Sequence, residues 1–313
     1  MIAMELLPVY LSYIQYMQNE DGTFRNFMSF NRIFLDDCGS EDSFGRTIWA
    51  LGYLIGNAPN DAYYQSAREL FCKAMPNFKK LQSVRGIANT VIGISYYLRR
   101  FPSDIGMTEM LKDLSGKLIY QFDIHKKEKW NWFEPVMTYD NAILPLSLLH
   151  ASSLLNDEKI MKTATKSMHY LSEVTLKNGY LSVVGNEKWY ACNDEQSCVY
   201  AQQPIDVMAM VLMFEKAYKL TKNKAYLDKL YISFMWFMGE NDLRMMLYDN
   251  ETKGCCDGLE SYGVNRNQGA ESTLAYLISH LVVLKAFEKK EEVILKNGLV
   301  ATDTEKYLRY KMG

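Results

Sequence analysis

The stretch Thr138–Leu155 reads T-Y-D-N-A-I-L-P-L-S-L-L-H-A-S-S-L-L. Four hydrogen-bonding residues come first, and a run almost without charge follows. No period-two alternation persists in it, so the spacing predicts a helix that is apolar nearly all round and buried on most sides. The same order recurs along the chain. Ser43-Phe44-Gly45-Arg46 precedes Thr47–Ile55, and Ser83-Val84-Arg85 opens a helix rich in small residues. Gln202-Gln203-Pro204-Ile205-Asp206 precedes Val207–Phe214, and Asn267-Gln268-Gly269-Ala270-Glu271-Ser272 opens the last strongly patterned segment. The intervals from Arg85 to Asp140, to Asp206 and to Glu271 are similar, so the unit repeats.

Between these helices lie others that carry lysine on one face. In chain order, helices are expected at Met4–Met17, Phe44–Ile55, Asp61–Phe78, Val84–Leu98, Ile105–Phe122, from near Tyr139 to Leu155, Lys159–Thr175, Pro204–Leu220, Tyr226–Phe237 and Ala270–Phe287. The odd members from the third to the ninth are amphipathic, as an outer layer requires; the even members suit an inner layer. At most two sheet elements are expected, at Tyr180–Val184 and Met246–Tyr248. The tail 289–313 is weakly patterned, with at most one short helix expected, near Glu305–Tyr310. Repeated helical hairpins with variable loops suit a solenoid closed into a ring. In such a ring the inner helices run the same way and their polar signatures meet at one mouth. The fold class is therefore all-α, an α/α toroid (barrel) of five to six helical hairpins, with residues 1–313 forming a single domain.

This architecture of hairpin pairs, inner-helix signatures and aromatic-rich loops resembles the α/α-toroid proteins, the six-hairpin glycosidase-like group. The resemblance covers about residues 4–288. It implies a carbohydrate-active protein, with sugar epimerases and some polysaccharide lyases among the relatives. Five hairpins are clear, which leaves an incomplete ring, a pair in the tail, or a partner chain completing it.

Composition narrows the partners. The formal charge is -2, and no long basic or acidic block occurs, against a nucleic-acid partner. No apolar run approaches the roughly 20 residues of a membrane helix, so no membrane span is expected. The start lacks a basic region and an apolar core of signal length. The six cysteines form no C-x-x-C pair and the four histidines stand apart, so no metal and no cofactor are expected. Reduced thiols and a cytoplasmic location are the expectation. With 22 Tyr, 14 Phe and 5 Trp, aromatics are abundant enough to line a ligand site as well as a core. Acids beside flat aromatics suit an oligosaccharide or sugar conjugate.

The candidate acid/base groups are Asp140, Asp206 and Glu271, with Glu134 and Asp257 as alternates. Glycoside hydrolysis needs two carboxylates about the scissile bond, and inversion is the default expectation from the resemblance. An acid in the first turn of a helix also simply favours the macrodipole, so capping is the competing reading of each. Arg46 and Arg85 sit where a cation is disfavoured, and need a carboxylate of the mouth, a ligand, or a structural acid such as Asp42 or Asp37. Tyr139, Asn141, Gln203, Asn267 and Gln268 are candidate hydroxyl binders. Trp130 or Trp132, and separately Trp189, are candidate stacking platforms. Three functions stay open: a glycoside hydrolase-like enzyme, a sugar epimerase, and a non-catalytic glycan-binding or accessory protein of glycan synthesis.

Overall fold

The computed structural model describes residues 2–297, with side chains over 4–288. The described chain is helical with two small ribbons. It divides into two compact units, one running to Asn178 and including Ser182–Gln202, the other comprising Gly179–Leu181 and the chain from Gln203 on.

The first unit holds α1 (Ile2–Met17), α2 (Glu41–Asn57), α3 (Asp61–Ala74), α4 (Val84–Arg100), α5 (Ile105–His125), α6 (Ile143–Leu155) and α7 (Glu158–Thr175). Its inner helices α2, α4 and α6 pack in sequence, and α3, α5 and α7 lie behind them. The layers follow from the side chains. On α3 the buried residues are Ala67, Leu70, Phe71 and Ala74, a single stripe at helical spacing. On α4 every residue from Val84 to Ser95 is buried. Caps start these helices where the sequence places them: Ser40 accepts from the Ser43 amide, and Asp104 from the Met107 amide.

Glycine sets the spacing of α2 and α4. A Cβ built on Gly52 would lie 2.2 Å from the Gly93 carbonyl oxygen, and one on Gly45 2.5 Å from that of Gly86. Only glycine lets the two backbones approach this closely.

The second unit holds α8 (Pro204–Thr221), α9 (Lys224–Met235) and α10 (Ala270–Asn297). Pro204 opens α8 in its first turn, where its missing N–H costs no helical bond. Helices α8 and α10 pack through Ile205, Met208 and Ala275.

Several expectations need correction. The third helix stops at Ala74, and Met75–Lys80 is 3-10, because Pro76 cannot continue the α ladder. The sixth begins at Ile143 rather than near Tyr139, because Asp140 has φ 47, which breaks the helical backbone. Neither expected sheet element forms as a strand. The strands are instead β1 (Val136–Met137) with β2 (Tyr190–Ala191), and β3 (Gly258–Glu260) with β4 (Gly263–Asn265), both antiparallel. Tyr248 makes only an isolated bridge to Cys255. Two inner helices are buried on one side only. Phe44, Gly45, Ile48, Leu51, Gly52 and Ile55 form the buried stripe of α2, while Tyr53 is exposed. On α10, Leu274, Leu277, Ile278, Leu281 and Leu284 are exposed. One helix segment, Ala270–Glu288 of α10, is long and apolar enough to cross a membrane by length and composition alone, which leaves the expected absence of a span untested. The short helix expected near Glu305–Tyr310 lies outside the described residues.

Candidate functional site

In the first unit the polar starts of α2, α4 and α6 come together. Glu41, in the first turn of α2, accepts from the Gln82 amide at 2.8 Å and also from the Ser83 amide, which ties the start of α2 to that of α4. One turn on, Arg46 Nη2 lies 3.3 Å from Asp42 and 3.5 Å from Asp140. Both alternatives for Arg46 therefore hold together: it pairs with a residue of its own helix and with the acid before α6. On α4, Arg85 Nε donates to the Tyr139 carbonyl at 2.7 Å and Nη1 to Glu134 at 2.9 Å. Its guanidinium also covers the Tyr139 ring, 4.5 Å from the centroid. These carboxylates offset the cost of cations near helix N-termini.

Asp42 collects three donors. Besides Arg46, it accepts from Asn89 Nδ2 at 3.2 Å and faces the Tyr139 hydroxyl at 3.5 Å. Burial, with the nearby Asp42 charge, pushes the Tyr139 phenol above its ordinary value, so this hydroxyl stays a donor. Asp140 is 2% exposed and left-handed, a backbone state in which aspartate is enriched among non-glycine residues. It is not in the first turn of α6, so the macrodipole reading does not apply to it in the form expected. Asn141 donates to the Thr138 carbonyl at 3.0 Å and helps hold this turn. Arg85 Nη2, Asn89 Oδ1 and Asn141 Oδ1 are buried without a hydrogen-bond partner. Buried polar atoms left in this way are costly unless a partner reaches them.

The aromatic candidates divide. Trp130 is 2% and Trp132 0% exposed, so neither is an open stacking platform. Trp130 packs between Tyr170 and Tyr190, and its indole N–H donates to the Glu134 carbonyl at 2.8 Å. Trp132 packs edge-on against Phe133. The loop segment that carries them folds inward because both rings find aromatic neighbours. Trp189 keeps 44% of its surface exposed, at φ 61. Pairing of Met137 with Tyr190 brings the Trp189 loop alongside the segment that leads into Tyr139 and Asp140.

The remaining candidates lie in the second unit. Asp206 is buried in the first turn of α8, and Gln203, its N-cap residue, is exposed and makes no side-chain cap bond. Glu271 is exposed at the start of α10. Asp257 accepts from the Gly269 amide at 2.7 Å and from the Asn267 side chain, so it fastens the start of α10. Burial opposes its ionisation, yet hydrogen bonds from Asn267, Ser272 and Gly269 together hold its carboxyl below the usual range. Gln268 donates to Asp249 at 3.0 Å and accepts from the Thr252 hydroxyl at 2.7 Å, closing the loop Asp249–Gly254. Asp257, Asn267 and Gln268 thus shape a loop. No group of His, Cys, Asp and Glu suited to a metal ion occurs among the described residues.

Sequence reasoning missed Asp42 and Asn89 as site members. The available signal was spacing: Asp42 stands one helical turn before Arg46, and Asn89 one turn after Arg85, within an otherwise apolar run.

No family model matches the chain, and no curated protein matches it. Solved structures do. A GH76 α-mannanase of Bacteroides thetaiotaomicron superposes with TM-score 0.62 at 13% identity, over 92% of this chain and 81% of that one. An unsaturated glucuronyl hydrolase specific for heparin gives 0.59 at 12%, over 81% and 69%. A D-mannose isomerase gives 0.54 at 13%, over 88% and 79%. The chain has the fold these proteins share, the α/α toroid.

Proposed function

We propose that this α/α-toroid chain is a carbohydrate-active protein, and that it is a glycoside hydrolase-like enzyme whose sugar meets the starts of α2, α4 and α6. The observation that carries the reading is the pair Asp42 and Asp140, held on one nitrogen of Arg46 at 3.3 and 3.5 Å. Hydrolysis of a glycosidic bond needs two carboxylates set about the bond, with donors and acceptors for the ring hydroxyls. Glu134, Arg85, Tyr139 and Asn141 supply the latter, and Trp189 offers an exposed ring. The printed names of the structural neighbours, two of them glycoside-cleaving and one a sugar isomerase, support the substrate class. Asp206 and Glu271 remain candidates on α8 and α10. Inversion is the default from the resemblance, but two oxygens within 3.5 Å of one nitrogen lie at the short edge of the roughly 6.5–9.5 Å of inverting pairs. The anomeric form of the first product, read by NMR, therefore decides between inversion and retention.

One observation favours a second reading, a non-catalytic glycan-binding protein. Each carboxylate at the start of α2, α4 and α6 that faces the site is tied to an arginine: Asp42 and Asp140 to Arg46, Glu134 to Arg85. An epimerase has less support. His125 lies at the end of α5, with Nδ1 at 2.8 Å from the Phe133 carbonyl, and His150 is buried in the second half of α6.

The test is a screen of neutral and acidic oligosaccharides for both binding and product release, on the parent and on Asp140→Asn. Release by the parent that Asp140→Asn loses supports the hydrolase. Binding with no release by either establishes the binding protein. Interconversion of a free sugar with no bond cleaved establishes the epimerase, and no interaction with any glycan sinks the class.

A further inference from the structure

We infer that Glu134, by occupying Arg85, sets the site at the starts of α2, α4 and α6 to select neutral sugars over acidic ones. The inference rests on the proposed sugar site and names its substrate class. In these ion pairs three carboxylates share two guanidinium groups, and Glu41 stands at the start of α2 as well, so acids outnumber arginines among them. The groups that reach solvent are Asp42, Glu134 and Arg46, with side chains 20%, 25% and 31% exposed; Arg85 and Asp140 lie beneath at 5% and 3%. Among these groups an incoming anion therefore meets two carboxylates and one reachable cation, which already serves Asp42 and Asp140.

Arg85 is the group that could otherwise recognise an acid. Two parallel N–H bonds from one guanidinium are what make arginine selective for a carboxylate. Here Nε is given to the Tyr139 carbonyl and Nη1 to Glu134, and only Nη2 lacks a partner. The edge formed by Nε and Nη2 has lost its Nε–H to Tyr139, and the other edge already faces the Glu134 carboxylate through Nη1. A uronate would have to displace Glu134, which leaves that carboxylate without its cation. A hydroxyl has no such requirement. It donates to Asp42 or Glu134 and accepts from Arg46 without breaking an ion pair.

Like charge a few ångströms away, in partly exposed surroundings, changes affinity by about tenfold. The probes are trisaccharides of α-manno-, β-gluco- and β-galacto-configuration, and the same compounds oxidised at C6 to uronates. Dissociation constants are measured by calorimetry for the parent, Glu134→Gln and Asp42→Asn, with thermal melts confirming that each variant is folded. The parent is expected to prefer the neutral member of the pair it binds best. Glu134→Gln releases Arg85 and removes one charge, so its relative affinity for the uronate is expected to rise by about tenfold. Asp42→Asn is expected to shift the same way and supplies the test if Glu134→Gln does not fold. Preference of the parent for the uronate, or an unchanged preference in whichever variants fold, overturns the inference while leaving the sugar site standing. Failure of every trisaccharide, neutral or oxidised, to bind overturns both.

Discussion

Arg46 on α2 and Asp140, three residues before α6, form a salt bridge at 3.5 Å, with Asp42 on the same arginine nitrogen at 3.3 Å. One cation thus holds together an acid from its own helix and an acid from a distant loop. Replacing Arg46 with methionine removes the guanidinium that bridges Asp42 and Asp140, the latter only 2% exposed. Because Arg46 is itself about a third exposed, the expected loss falls below that of fully buried pairs, at about 1–3 kcal/mol. Urea unfolding measures it. Arg46→Lys keeps the charge without the fork and is expected to recover only part.

Substitutions at glycine are expected to have opposite signs at two positions. A Cβ at Gly93 would lie 2.4 Å from the Ile48 carbonyl oxygen, so Gly93→Ala forces α2 and α4 apart. Overpacking of this kind costs about 1–3 kcal/mol. At Gly116, on the exposed side of α5, nothing lies within 4 Å of the added carbon. Gly116→Ala is expected to stabilise by about 0.5–1 kcal/mol through helix propensity. Melting temperatures of the two variants should move in opposite directions.

The thiols should separate by reactivity. Cys38 is exposed, whereas burial pushes the Cys255 thiol up to about 12, with Cys256 and Asp257 adding to it. At pH 8 iodoacetamide is expected to label Cys38 in the native protein and to reach Cys255 only after unfolding. Peptide mass spectrometry reads both.

Acid stability should depend on Asp257. Its carboxyl is held below the ordinary range in the folded chain, so it contributes stability above the unfolded-state value of about 4 and loses that contribution as pH falls through the folded value. Asp257→Asn is expected to lower stability at pH 7 and to flatten its dependence on pH in the acid range. Equality of the parent and variant curves between neutral and acid pH would count against this role.

The layered fold was legible because burial leaves a periodic record. The single stripe of α3 and the unbroken apolar run of α4 follow from which faces meet other helices, and both can be read one residue at a time. The end members were harder. Helices α2 and α10 carry apolar residues that stay exposed, so hydrophobicity alone overstated their burial. The site was legible as a class of residues and less so in its members. Arg46, Arg85, Glu134, Tyr139 and Asp140 do meet, while Asp42 and Asn89 join them only because α2 and α4 pack closely enough to face each other.

The sequence by itself determined the helices, their caps, the inner and outer layers and the polar start of each inner helix, because these depend on local propensity and on period. Tertiary structure alone decided which charges pair and which rings stay open. Trp130 and Trp132 share a loop of mixed composition, and nothing in their spacing says that Tyr170, Tyr190 and Phe133 will cover them. Arg46 finds Asp140 only once three helices have packed, since a salt bridge depends on distance in space and leaves no trace in the order of residues along the chain.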